Sequence, residues 1–239
     1  MMKSLTWVVA GFFLLLSVTV AGAQCVGIAG TITLVGPVTG APFTADFVHV
    51  FEPLNRDGSR SHQVAHGKVY RDSEGRARCE VNGKTGEPKF VIITDPVAGL
   101  KIAMNPEKQT AIVTHHPSSP FAPVQGTPAT RAKTAADVQP QGTHTEEDLP
   151  SQVIEGFTVT GKRYVNTSES GETSTMENWY SPDLKFKLLS TVIGTSANIS
   201  DKLINVRIGD PDQKVFQVPE GYTVTNKYCR GQVCNYDSE

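Results

Sequence analysis

The chain has 239 residues, with 22 basic and 24 acidic side chains and a net charge of −2 at pH 7. Nucleic-acid-binding proteins present a clearly basic surface, so this mild acidity excludes an electrostatic drive toward nucleic acid. The length is sufficient to bury a hydrophobic core, either as one β domain or as two small ones.

The first 23 residues have the three-part pattern of a Sec-type signal peptide. Lys3 precedes a long apolar stretch, and Ala21 and Ala23 supply the small residues of a cleavage site. The apolar run is shorter than the roughly 20 residues that a spanning helix needs. We therefore expect a periplasmic or secreted protein that begins at Gln24 and has no transmembrane span after cleavage.

A bacterial lipoprotein signal is the alternative reading of this terminus, because Cys25 lies close to the cleavage site. Lipoprotein signals place a small residue directly before the cysteine and usually a leucine two residues further upstream. Those positions hold Gln24 and Gly22 in this chain. The pattern therefore favours cleavage without lipidation.

Short β-rich runs separated by turn residues begin at Phe43, after an N-terminal extension over residues 24–42. Phe43, Phe47 and Phe51 alternate with other residues on one face of the first run, and this period of two predicts a half-buried strand. Further strands are predicted over residues 61–71, 76–82, 89–94, 100–104 and 109–115. Strands at intervals of about 8–12 residues indicate an antiparallel meander. The run over 89–94 is the most apolar and is expected to be central.

The composition changes over residues 116–150. This segment holds six of the fifteen prolines and few large apolar side chains. Because so little apolar surface is available to offset the entropy of ordering, we predict a flexible Pro-rich linker that is dispensable for folding.

Strand patterns resume after the linker, over residues 153–166, 173–180, 185–193 and 202–209. A short helix or turn follows over 210–216, and a polar, Cys-bearing tail covers 225–239. The sequence therefore predicts a mainly all-β fold. We expect a single antiparallel β domain over 43–224, folded as a curved sheet or half-barrel with little helix and one long Pro-rich loop.

The four cysteines indicate disulfides in an exported chain, and four cysteines allow three connectivities. Cys229 and Cys234 are close in sequence, and Gly231 between them allows a tight turn. Their pairing would leave Cys25 and Cys79 to each other. Half a zinc site is the alternative for Cys229 and Cys234, but the sequence has no second pair with ligand spacing.

No catalytic, cofactor or metal site is predicted from the histidines. His62 and His66 share a strand face but lie roughly 13 Å apart along the strand, whereas zinc ligands need to lie within about 2.1 Å of one ion. His115 and His116 are adjacent and point to opposite faces of a strand. His49 falls on the apolar face of the first strand and is expected to be a hydrogen-bonded core residue.

Three arginines, Arg71, Arg76 and Arg78, flank a turn over residues 72–75. We expect them to pair with acidic neighbours, as surface ion pairs that stabilise the fold only slightly. A small anion site is the alternative.

Several blocks of sequence, taken in order, resemble a known group of proteins. They lie at residues 68–78, 91–99, 154–156, 161–163, 177–185 and 215–222. Their order resembles a widespread group of uncharacterised exported bacterial proteins, which is distantly similar to the periplasmic lipoprotein carriers of the LolA and LolB type. This resemblance covers most of residues 43–224. It implies an antiparallel sheet curled into a half-barrel, and it carries over no functional residue.

We expect a non-enzymatic envelope or secreted protein that binds a lipid-like or hydrophobic ligand on the concave face of this sheet. The side chains expected to face the ligand are Phe43, Phe47, Phe51, Phe90 and Ile92. These side chains either pack into a closed core or line an open trough, and the gain of about 1.5–3 kcal/mol per buried aromatic favours the closed core. The alternatives are a hydrolase assembled from distant strands and a partner-binding protein that uses residues 116–150.

We predict that material recovered from the periplasm or the medium starts at Gln24, because Ala21 and Ala23 fit the specificity of signal peptidase. N-terminal sequencing together with intact-protein mass spectrometry checks this. Recovery of a chain that starts with a lipidated Cys25 would contradict the prediction.

Overall fold

The computed structural model describes residues 38–115, 142–230 and 233–236. These residues form 13 β-strands in a single sheet that does not close on itself. Apart from the strands, they contain two 3-10 turns, Pro106–Lys108 and Gln213–Phe216, and no α-helix. The predicted fold class, a mainly all-β curved sheet or half-barrel, is confirmed.

Two meanders make up most of the sheet. The first consists of β1 (Phe43–Pro53), β2 (Gln63–Arg71), β3 (Ala77–Asn82), β4 (Pro88–Asp95), β5 (Leu100–Asn105) and β6 (Thr110–His115). The second consists of β7 (Gly142–Ile154), β8 (Phe157–Ser168), β9 (Thr173–Ser181), β10 (Phe186–Ile193) and β11 (Ala197–Ile208). Two further strands follow, β12 (Thr223–Arg230) and β13 (Val233–Tyr236).

The meanders join side by side, because β1 pairs with both β2 and β11. The resulting strand order is β13-β12-β6-β5-β4-β3-β2-β1-β11-β10-β9-β8-β7. Neighbouring strands are antiparallel except β12, which returns to the far side of the first meander and pairs parallel to β6. The chain between β11 and β12 must therefore cross a face of the first meander.

The main hydrophobic cluster occupies one face of the sheet, which we call the inner face. Its buried members are Phe43, Ala45, Phe47, Val69, Ala77, Cys79, Val81, Val159, Trp179, Leu184, Phe186, Leu188 and Leu203. They come from both meanders. Phe43 of β1 contacts Phe186 of β10, with ring centroids 5.3 Å apart, although β11 lies between these strands.

Arg71, at the end of β2, shows how strongly the sheet curls. Its side chain is completely buried, and it donates from Nε and Nη2 to the Ala41 carbonyl at 3.0 and 2.6 Å. Nη2 also donates to the carbonyl of Leu184, in the turn between β9 and β10. In a flat sheet, the three strand spacings from β2 to β10 would span about 14 Å. The curl therefore brings this turn back over the inner face.

A second cluster covers the opposite, outer face of β4, β5 and β6. Its buried members are Val91, Ile93, Ile102, Met104, Ala111, Val113 and Phe216. The first six alternate along the strands with residues of the inner face. Phe216 belongs to the crossover from β11 to β12, so the crossover acts as a cover on this face.

Polar contacts hold the crossover on the β2–β3 turn and on the beginning of β3. The Ser73 amide donates to Asp210 Oδ1 at 2.7 Å, and Arg78 Nη1 donates to the Val215 carbonyl at 2.8 Å. Arg76 Nη2 donates to Gln213 Oε1, and its guanidinium lies 5.3 Å from the Phe216 ring centroid. Docking of the cover thus depends on the conformation of this turn.

Two of the three arginines pair with carboxylates as predicted, and Arg71 does not. Arg76 Nε donates to Asp72 Oδ2 at 2.6 Å, and Arg78 Nε donates to Glu80 Oε1 at 2.7 Å. The Asp72 side chain is almost fully buried, so its ion pair is not the weak surface contact that the sequence suggested. Arg71 instead binds carbonyl oxygens and ring faces, and its burial lowers the pKa of the guanidinium to about 10.

Most strand predictions agree with the structure, but the start of the second meander differs. The strand predicted over 153–166 agrees with β8 over 157–166, but a turn at Glu155 and Gly156, which both have positive φ, separates its first two residues, which belong to β7. β7 begins at Gly142, so the prediction of a flexible linker is wrong over residues 142–150. Residues 116–141 lie outside the described residues, and their mobility stays a prediction. The predicted signal peptide and most of the N-terminal extension also lie outside them.

Two further expectations about strands need correction. The segment predicted as a polar tail from residue 225 forms β12 and β13 at one edge of the sheet. β4 is not the central strand of the sheet. It is strongly apolar because Val91 and Ile93 belong to the outer cluster while Phe90 and Ile92 pack against the inner one.

Two glycines of the first meander test how tightly the inner cluster is packed. A Cβ on Gly67 would lie 1.9 Å from the Glu80 carbonyl oxygen and 2.3 Å from Phe47 Cε1. We predict that Gly67→Ala lowers the free energy of unfolding by about 1–3 kcal/mol or more. Gly83→Ala is the matched control, since its Cβ would meet nothing closer than 3.5 Å. Urea unfolding in which both variants behave alike would contradict this packing.

Candidate functional site

The structure separates the five side chains that the sequence assigns to a ligand-facing surface. Phe43 and Phe47 have no exposed surface and belong to the closed inner cluster. Phe51 lies half-buried at the other end of β1. Phe90 and Ile92 are half-buried on β4 and pack against the edge of the inner cluster. Any ligand-facing role in this structure therefore falls to Phe51, Phe90 and Ile92.

Phe90 and Ile92 begin a row of apolar side chains that runs outward across β4, β5 and β6. In the sheet register, Ile92 pairs with Ala103, and Ala103 pairs with Ile112. We call Phe90, Ile92, Ala103 and Ile112 the inner row. The first three are half-buried, and Ile112 is 41% exposed. Apolar surface thus extends from the buried cluster toward the β12–β13 edge of the sheet.

The same three strands therefore carry apolar side chains on both faces. On the outer face, Phe216 and its neighbours cover them. Within the described residues, no such element lies over Ile112 on the inner face. Since the outer residues alternate with the inner row, the sequence of each strand reads as a nearly continuous apolar run.

A second row of half-buried apolar side chains runs across β1 and the strands of the second meander. Phe51 pairs with Ile199 of β11, which pairs with Val192 of β10, which pairs with Met176 of β9 and then Tyr164 of β8. Phe51 shares its face of β1 with Phe47 because the two are four residues apart. This second apolar row therefore lies on the inner face and extends from β1 across four strands of the second meander.

A polar row separates the second apolar row from the buried cluster. His49 Nδ1 lies 2.7 Å from Asp201 Oδ1, and Ser190 Oγ donates to Asn178 Oδ1 at 2.8 Å. His49 and Ser190 are both buried, so the prediction of a hydrogen-bonded core histidine at position 49 is confirmed. Lys187 is also partly buried, which lowers the pKa of its ammonium, whereas the nearby Asp201 carboxylate acts in the opposite direction.

This polar row brings serine, histidine and aspartate together without forming a nucleophile. A serine nucleophile requires its hydroxyl to donate to the imidazole that accepts its proton. Ser190 donates to the Asn178 amide instead. In the register, Asp201 lies between Ser190 and His49. The row satisfies buried polar groups, which is the role expected of hydrogen-bonded residues in a core.

The remaining described histidines make separate contacts. His62 Nδ1 lies 2.9 Å from Glu52 Oε1 on the surface, and His144 Nδ1 lies 2.7 Å from Asn166 Oδ1. His115 stacks on Tyr228 with ring centroids 4.6 Å apart. His66 lines a cleft of about 750 Å³ at the end of β2, β3 and β4. Over the described ranges, no three His, Cys, Asp or Glu side chains converge on a metal position.

One predicted disulfide is present at the edge of the sheet. Cys229 and Cys234 are bonded to each other and lie directly opposite in the β12–β13 register, so this prediction is confirmed. The bond ties β13, which has only four residues, to β12. Cys79 is also disulfide-bonded. Cys25 lies outside the described residues, so its pairing with Cys79 stays a prediction.

Comparisons with known proteins find similarity at the level of structure. No protein-family model matches the chain, and no curated protein matches its sequence. A chain in the structure of the Pseudomonas aeruginosa MucA/MucB complex matches with a TM-score of 0.44 and 12% identity, covering 85% of this chain and 62% of that one. This protein thus spans less than two thirds of that matched chain.

Two smaller solved proteins match over most of their own length. A LolA superfamily protein from Nitrosomonas europaea matches with a TM-score of 0.37 and 9% identity, covering 82% of this chain and 97% of that one. LprF from Mycobacterium bovis matches with a TM-score of 0.32 and 11% identity, covering 82% and 93%. All three of these structures share 12% identity or less with this chain, and their TM-scores lie below 0.5. Among the described residues, no helix has the length and hydropathy to cross a membrane.

The two histidine–carboxylate pairs allow a matched test of the polar row. The His49 and Asp201 side chains are 11% and 21% exposed, whereas those of His62 and Glu52 are 63% and 34% exposed. We predict that His49→Ala lowers the free energy of unfolding by about 1–3 kcal/mol, because it leaves a largely buried carboxylate without its partner. His62→Ala should leave stability nearly unchanged. Equal effects of the two variants in urea unfolding would argue against a structural role for the polar row.

Proposed function

We propose that this exported protein is non-enzymatic and binds a hydrophobic, lipid-like ligand along the inner row. One observation carries the proposal. β4, β5 and β6 carry apolar side chains on both faces, and the described residues cover those of the outer face but leave the inner row partly exposed.

The free energy of apolar burial gives the reason why this row favours a ligand. Apolar surface in contact with water costs about 25 cal/mol per Å² relative to the same surface buried. An acyl chain lying on Ile92, Ala103 and Ile112 would remove water from these side chains and from itself. Binding sites for small molecules are typically concave and mostly apolar, as is the inner face of a curled sheet.

The inner row is also preformed. Phe90 and Ile92 pack against the closed cluster, and their strand is held from behind by Phe216. A ligand would therefore meet side chains whose positions are set by the core. Little conformational entropy needs to be lost by the protein on binding, which favours affinity.

Neither alternative function gains support from the described residues. Ser190 donates to Asn178 and not to His49, so the polar row offers no activated nucleophile. The partner-binding alternative depends on residues 116–150, of which only 142–150 are described, as part of β7. We include export to the periplasm or the medium in the proposal because the sequence predicts a signal peptide.

We predict that the uncharged dye N-phenyl-1-naphthylamine binds saturably to the full mature protein, with a rise in fluorescence. Ile112→Asp should weaken binding about tenfold or more, because it places a carboxylate where apolar surface is needed. The variant should fold, since Ile112 is 41% exposed.

Val224→Asp is the matched control for this experiment. Val224 is 45% exposed, lies on the neighbouring strand β12, and pairs with Ala111 of the outer cluster. This variant should bind the dye as the unchanged protein does. Equal loss of binding in both variants, or absence of saturable binding by the folded protein, would overturn the proposed function.

A further inference from the structure

A row of polar and basic side chains runs beside the inner row on the same face. In the register, Thr94 of β4 pairs with Lys101 of β5, and Lys101 pairs with Thr114 of β6. Thr114 pairs with Lys227 of β12, which pairs with Tyr236 of β13. We call this set the basic row. Thr94, Lys101 and Thr114 each lie two residues along their strand from a member of the inner row, so they point to the same side of the sheet.

Among the described residues, no carboxylate forms an ion pair with either lysine of the basic row. Lys101 is exposed, and Lys227 is half-buried. Their partners in the register are threonines and a tyrosine, so no carboxylate is paired with either ammonium.

The position of Lys227 is restricted by the edge of the sheet. Its ammonium lies 5.3 Å from the Tyr236 ring centroid, within the range of a cation–π contact. Tyr236 belongs to β13, which the Cys229–Cys234 disulfide ties to β12. The disulfide therefore helps to keep a cation at the outer end of the basic row.

The spacing of the two rows suits a ligand with one apolar part and one charged part. Residues two apart on a strand are separated by about 6.6–6.8 Å. A chain lying on Ile92, Ala103 and Ile112 thus has its end within reach of Lys101 and Lys227, whose side chains are long and flexible. An anionic group in this position would meet two ammonium groups and two threonine hydroxyls.

We propose that the ligand of this site is an amphiphile with a single acyl chain and an anionic head group. This inference rests on the proposed function, and it adds the chemical class of the ligand. The inner row binds the acyl chain, while Lys101 and Lys227 select for negative charge. A free fatty acid and an anionic lysolipid both satisfy this description.

Displacement of N-phenyl-1-naphthylamine from the full mature protein tests the inference and compares the two sources. The competitors are myristate, myristoyl lysophosphatidylglycerol and myristoyl lysophosphatidylcholine, which share one acyl chain and differ in head-group charge. We expect the two anionic competitors to bind about three- to tenfold more tightly than the zwitterionic one at low salt. The preference should decrease as ionic strength rises.

Two substitutions then assign the preference to the basic row. Lys101→Gln combined with Lys227→Gln should remove most of the preference, because it weakens displacement by the two anionic competitors more than displacement by the zwitterionic one. Lys202→Gln is the control, because Lys202 is exposed on β11 and pairs with Val48 and Leu189, away from both rows. A preference for only one of the anionic competitors would identify the source of the head group.

The outcomes separate this inference from the proposed function. Equal binding of all three competitors, or a preference that survives the double substitution, would overturn the anionic class while the hydrophobic site stands. Failure of the dye and of every competitor to bind the folded protein would overturn both.

Discussion

The buried guanidinium of Arg71 is the contact on which the shape of this protein depends. It connects the end of β2 to Ala41 and to the β9–β10 turn, and it lies 4.8 Å from the Phe43 ring centroid and 5.9 Å from that of Phe186. Carbonyl oxygens and ring faces stabilise this buried cation. This contact joins the two meanders across the inner face and closes the sheet over Phe43.

This closure determines which apolar side chains of the inner face remain partly exposed. Phe43 and Phe47 belong to the closed core, and the partly exposed apolar side chains of the inner row lie further along the sheet, on β4, β5 and β6. The crossover supplies a cover for these strands only on the outer face, through Phe216. The inner row and the basic row lie on the opposite face of these strands, which the crossover does not cover.

Much of the fold follows from local pattern, and the parts that do not have identifiable physical causes. Period-two alternation correctly predicts β1, and turn residues correctly separate β2 to β6. β7 has no such pattern because nearly all of it is exposed, and cross-strand ion pairs such as Arg163–Glu147 at 3.0 Å accompany its pairing with β8. Glu155 in the β7–β8 turn adopts a positive φ, which the sequence does not indicate because non-glycine residues rarely have this conformation. The residues of the proposed site, such as Ile112 and Lys227, depend on register between distant strands, which alternation alone does not specify.

The most direct test of the central claim is photo-crosslinking with a fatty acid that carries a diazirine on its acyl chain, followed by peptide mapping of the full mature protein. If the inner row is the ligand site, labels should concentrate on residues 90–92 and 101–114, and unlabelled myristate should suppress them. Labelling confined to the outer-face crossover at residues 215–224, or spread evenly over the sheet, would contradict the account.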